Sequence, residues 1–130
     1  MRLFWRSLWM GCLIGSVWLH AESLESGSIR ALKENKLLLV SIESEACPYC
    51  KKMKREIFEE AKYRQEIEKR YVHLVFNNRD SSLPPDLRAP YVPANAILSP
   101  KDQSILDAYV GYIAPERFMK ILEGVYKGAQ

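Results

Sequence analysis

The sequence predicts an α/β domain: one mixed four-stranded sheet flanked by helices on both faces. Three observations carry that expectation. Residues 37–42 (LLLVSI) form a continuous apolar run of strand length, as in a strand buried on both sides. Cys50, Met53, Ile57, Phe58 and Ala61 then recur at three- and four-residue steps, the apolar stripe of an amphipathic helix. A helical crossover makes the two strands it joins parallel, whereas a short turn before residues 105–110 makes a hairpin.

Leu24, Ile29 and Leu32 supply the apolar positions of a short first helix that ends near Asn35. Ser44, Glu45 and Ala46 close the first strand, and Cys47-Pro48 opens the second helix. Its wet side carries Lys51, Lys52, Lys54, Arg55 and Glu59, and the helical pattern continues to Arg70 with a break near Ala61. Residues 72–76 read as a second strand, and 77–91 as a loop marked by Asn-Asn, Ser-Ser and Pro84-Pro85. Residues 94–98 and 105–110 read as the third and fourth strands, paired across a turn at 100–103. Gly111 punctuates. Pro115 fits the first turn of a final helix that buries Phe118, Ile121, Leu122 and Val125.

A chain of 130 residues suffices for one domain and not for two. Apolar residues at 48% and charged residues at 27% exclude wholesale disorder. Lys plus Arg at 19 against Asp plus Glu at 16 is too even to point to nucleic acid. Residues 1–21 are expected to be a secretory signal peptide, and 22–130 the domain. Arg2 and Arg6 precede an uncharged stretch over residues 7–19, and Ala21 offers the small residue before the cut. The alternative is an uncleaved anchor, but a spanning helix needs about 20 apolar residues and Arg6 blocks extension upstream. Cleavage would lower the net charge from +3 to +1 and remove Cys12, leaving Cys47 and Cys50.

Cys47-Pro48-Tyr49-Cys50 is the most informative tetrapeptide. A helix N-terminus presents unpaired N–H groups and the positive end of the macrodipole, and both favour a thiolate at Cys47. Pro48 loses nothing at the first helical position, where its missing N–H would be unpaired anyway. Thiol pKa values in such motifs fall to roughly 3.5–7.5. Cys50 lies one turn on, on the buried face, close enough for a disulfide and shielded from outside attack. Lys51 and Lys52 add positive charge nearby, and Glu43 and Glu45 oppose it. Three other readings compete. Zinc normally takes four ligands, and only Cys47, Cys50 and His73 remain, the last within a strand. A purely structural disulfide would close so short a loop that it gains little unfolded-state entropy. Two unrelated buried thiols have no reason to sit at a helix start.

These segments resemble the thioredoxin-like family, and within it the small exported thioredoxin-related proteins of bacteria, the SoxW-type and Dsb-type group. The likeness spans nearly all of residues 22–130. It rests on LLLVSIESEACPYCKKMKREIF, on YVPANAIL and on the hairpin leading to VGYIAPERFMKIL. It implies a thioredoxin-like fold, Cys47 and Cys50 as the catalytic pair, and substrate binding by Pro48, Tyr49, Val92 and Pro93. It also implies a cis bond at Pro93, facing the cysteines, with the Val92 backbone as an edge for a client strand. From the residues alone, Pro93 reads as an ordinary trans proline at a strand start. Three positions depart from the family. Ser41 stands where a buried acid is usual, and Glu43 and Ala46 stand where aromatic residues are usual. The family's proton handling and reductase docking are therefore not carried over.

The expected activity is exported protein thiol–disulfide exchange, leaning to reduction of client disulfides. A DsbA-like dithiol oxidase and a non-catalytic binding module with a structural disulfide are the alternatives. Expected partners are client proteins with disulfides or thiols and a membrane-bound redox partner. No cofactor, metal, nucleic acid or lasting membrane span is expected, and the periplasmic chain should be a monomer. Tyr109, Tyr112 and Tyr126 read as packing or surface aromatics.

Overall fold

The computed structural model describes residues 22–130, so the expected signal peptide and Cys12 lie outside the described residues. In order the chain forms α1 (Leu24–Glu34), β1 (Leu37–Glu43), α2 (Pro48–Met53), a π-helical turn (Lys54–Phe58) and α3 (Ala61–Arg70). Then come β2 (Tyr71–Asn77), a 3-10 turn (Pro85–Leu87), β3 (Ala94–Leu98), β4 (Ile105–Val110) and α4 (Pro115–Gly128). The four strands form one sheet in the order β2-β1-β3-β4. β1 and β2 run parallel, and the other two pairings are antiparallel.

β1 is central, and six of its seven residues are buried, which explains the unbroken apolar run. Alternate β1 residues feed two cores. Leu38, Val40 and Ile42 face α1 and the loop before β3, where Leu83 and Leu87 cover the sheet. Leu37 and Leu39 face α2, α3 and α4, through Met53, Ile67, Phe118 and Leu122.

Two apolar assignments need correction. Ile29 and Leu32 face solvent, at 56% and 50% exposure. α1 buries Gly27, Ser28 and Ala31 instead. Leu24, Gly27, Ser28 and Ala31 share one face at helical spacing, and the small size of the last three lets the helix backbone approach β2. Ala61 is also exposed. The helix carrying the cysteines widens at Lys54, where Glu59 donates to the Lys54 carbonyl five residues back. It stops at Glu59, and α3 starts afresh after an extended Glu60, so Ala61 is not in phase with Met53 and Ile57. In α4, Phe118 and Leu122 are buried, whereas Ile121 and Val125 are only partly so.

The pairing brings distant segments to one end of the sheet. Ile42 of β1 stands opposite Ala94 of β3, and Ala94 opposite Val110 of β4. The segment after β1, the segment before β3 and the segment after β4 therefore meet there.

Candidate active site

The chain leaves β1 at Glu43 and enters α2 at Pro48. Between them Cys47 is the N-cap, extended at φ −111° and ψ 102°. Its Sγ turns back over the first turn and accepts the Cys50 N–H at 3.1 Å. A Ser or Asp oxygen usually plays that part; here sulfur satisfies an amide that has no partner within the helix. Cys50 follows one turn later, and the two cysteines form a disulfide with Cα atoms 5.2 Å apart.

Exposure does not separate the two sulfurs in this oxidised state, contrary to the expectation that Cys50 alone is shielded. Cys47 is 6% exposed and Cys50 5%. Position separates them. Ala46, Pro48 and Tyr49 around Cys47 are exposed. Cys50 faces inward and lines a cavity of about 10 Å³ with Ser41, Glu43, Met53, Pro93 and Asn95, at the threshold of holding one water.

Pro93 thus reaches the cysteine pair from β3, and the Val92–Pro93 peptide bond is cis. The Pro93 carbonyl accepts the Gly111 N–H at 2.7 Å, which ties this segment to the end of β4. Among the described residues, the backbone of Val92 makes no hydrogen bond. Tyr91 before it is 73% exposed. After β4, Tyr112 completes the rim. Its ring lies 6.0 Å from that of Tyr49, Lys52 Nζ sits 4.6 Å over its face, and its hydroxyl donates to the Glu56 carboxylate. That bond to an acceptor anion raises the Tyr112 pKa.

Behind Cys50 the sheet carries a row of three polar side chains, one from each of β1, β2 and β3. Ser41 Oγ donates to Asn95 Oδ1 at 2.6 Å and lies 2.8 Å from His73 Nε2. Because the serine proton goes to Asn95, His73 must donate its Nε2–H to Ser41. The His73 ring packs on Phe58 at 4.5 Å, and burial pushes its pKa down to about 4, so it is neutral at pH 7. Among the described residues no cluster of three or more His, Cys, Asp or Glu side chains is placed to hold a metal ion. Nor is any described helix long and apolar enough to cross a membrane.

Cys47, Pro48, Tyr49, Cys50, Val92 and Pro93 thus lie at one end of the sheet. The sequence reading missed three things: Asn95, the link from His73 to Ser41, and the placement of Tyr112 beside Tyr49. A signal for the first existed, since Asn95 interrupts the apolar strand ANAIL. Pairing His73 with Ser41 required the β1–β2 register, which spacing along the chain does not give.

A family model described as a thioredoxin-like domain matches residues 24–126. Among solved structures, a thioredoxin from Thermus thermophilus is similar, with a TM-score of 0.65 at 22% identity over 79% of this chain and 83% of that one. The periplasmic thioredoxin SoxS from Paracoccus pantotrophus superposes with a TM-score of 0.58 at 21% identity, covering 73% of this chain and 100% of its own. The C-terminal domain of DsbD from Neisseria meningitidis gives 0.56 at 19%, covering 78% and 92%. At these identities the likeness is one of fold. No curated protein sequence matches the chain.

Proposed function

Because the chain belongs to the thioredoxin-like domain family and bonds its two motif cysteines to each other, we propose that it is a thiol–disulfide oxidoreductase of exported proteins. The observation that carries this reading is Cys47 at the helix cap, its sulfur held by a backbone N–H with Cys50 one turn behind. A donor that holds a neutral sulfur holds a thiolate more strongly, so the reduced Cys47 is the nucleophile.

In the reducing direction the Cys47 thiolate attacks one sulfur of a client disulfide, and the other client sulfur leaves with the electron pair and takes a proton. Cys50 then loses its proton and attacks Cys47 Sγ, the mixed disulfide breaks, and the client's second sulfur departs. The client gains two electrons and two protons, and the Cys47–Cys50 bond remains. Pro48, Tyr49 and Pro93 border the entering chain, and the unpaired Val92 backbone offers it a hydrogen-bonding edge.

Reduction is favoured over oxidation by Glu43, which lines the cavity behind Cys50. Negative charge there opposes a stabilised thiolate, and a strong oxidant needs one. The residue pattern over 1–21 and the fold shared with a periplasmic thioredoxin support a periplasmic site of action. There a membrane-bound donor would have to recharge the pair, because that compartment is kept oxidising.

A second reading is favoured by the low exposure of both sulfurs: a binding module whose disulfide is structural. Insulin reduction with a chemical reductant, combined with redox titration, separates the readings. The proposal expects turnover and a potential between those of thioredoxin and the isomerases, about −270 to −180 mV. No turnover with a potential below about −300 mV would establish the structural bond instead, and a potential near −120 mV would establish an oxidase.

A further inference from the structure

The row His73–Ser41–Asn95 is directional. His73 donates to Ser41, Ser41 donates to Asn95 Oδ1, and the chain of donors ends on the Asn95 amide nitrogen. That nitrogen carries two N–H groups, and its protein acceptor is the thioether of Met53 at 4.0 Å, a weak one. Asn95 is 3% exposed, so water outside cannot satisfy it. It lines the same cavity as Cys50 and Met53. A buried donor supported by two further donors, short of a strong acceptor and beside a sulfur that must ionise, is built for an anion.

We propose that Asn95 donates an N–H to the Cys50 sulfur, directly or through one water in the cavity, when that sulfur carries negative charge. Ser41 and His73 are positioning residues that hold the amide in this orientation. The inference rests on the reading of Cys50 as the resolving cysteine. In that step Cys50 gives its proton to water, its sulfur bonds to Cys47 Sγ, and the Cys47–client bond breaks. The client sulfur leaves with the electron pair and is protonated by water. Asn95 exchanges no atoms; it lowers the energy of the thiolate before the new bond forms. Of the ionisable groups, Glu43 lines the cavity with Cys50 and opposes the anion, and His73 bonds Ser41; Lys51 and Lys52 follow Cys50 on its own helix, and Glu56 on the π-helical turn pairs with Tyr112 after β4.

The test is the pH titration of Cys50 thiolate absorbance in the full chain carrying Cys12→Ser and Cys47→Ser, with and without Asn95→Ala. The expected result is a rise in the Cys50 pKa of about one unit, tenfold less thiolate at a given pH below it. Ser41→Ala should move the pKa the same way, and Ser41→Thr, which keeps the hydroxyl, should restore it. If Asn95→Ala does not fold, the serine pair carries the test. Folded variants with a lowered Tm and an unchanged Cys50 pKa would overturn the proposal and leave the row as packing. The titration needs no turnover. An inactive wild-type chain would therefore remove the oxidoreductase reading without mimicking either outcome.

Discussion

Single residues at the rim of the site do work that their neighbours could not. Gly111 has φ +99°, which glycine adopts without strain, and donates to the Pro93 carbonyl, so it anchors the segment that faces the cysteines. A Cβ at Gly111 would meet nothing within 4 Å, which isolates the backbone conformation as the sole penalty. Gly111→Ala is expected to cost about 1–2 kcal/mol in urea unfolding, the strain of an L-residue at positive φ. An unchanged midpoint would mean that the turn relaxes freely. At this scale the sequence was legible where chemistry is local. Cys47, Pro48 and Cys50 form a cap, a first turn and a sulfur pair within four positions. The pairing of Asn95 and His73 with Ser41 was not legible, because Ser41 lies on another strand, 54 and 32 positions away respectively.

Among the elements, α1 shows how a helix can hide its buried face from a reading by apolar size. Its inward stripe is Gly27, Ser28 and Ala31, because the helix lies close against β2. A Cβ built on Gly27 would stand 2.5 Å from Leu74 Cδ1 and 2.9 Å from Cδ2. Alanine would gain about 1 kcal/mol of helix propensity, but forcing a packed leucine aside costs typically 1–3 kcal/mol. Gly27→Ala should therefore lower stability by about 1 kcal/mol in the same assay; a gain would show that Leu74 has room to turn. The strands were easier to read. β1 is apolar on both faces and β3 with β4 follows hairpin logic, so their bounds shifted by no more than one residue. The loop before β3 was read only as a connection marked by Asn-Asn, Ser-Ser and Pro84-Pro85, yet it places Leu83 and Leu87 in the core. Its three prolines and two leucines carry no period that announces burial.

For the whole molecule, the buried row ties stability to pH. Folded His73 takes a proton only below about pH 4, whereas in the unfolded chain it does so near 6.5. Above that value both states are neutral and the contribution is constant. As pH falls through the window the unfolded chain binds the proton first, so the fold loses stability, by up to about 3 kcal/mol near pH 4. Asp80 and Asp102, each holding Ser hydroxyl and amide donors, have lowered pKa values, so their losses come below the ordinary carboxylate range. Denaturation between pH 7 and 4.5 should accordingly show a slope that His73→Gln removes; equal slopes in both proteins would mean that the ring is solvated. The fold class was legible at this scale because element order and strand pairing follow from connection lengths. The convergence of the β1, β3 and β4 ends is what turns a four-residue motif into a site.

The division of labour between the two sulfurs is tested most directly by mass spectrometry of disulfide-linked complexes formed with client proteins by Cys50→Ala and by Cys47→Ala. Cys50→Ala should accumulate clients bonded to Cys47, since nothing remains to release them, and Cys47→Ala should accumulate none. Equal trapping by both variants, or trapping by Cys47→Ala alone, would contradict the roles assigned to the pair.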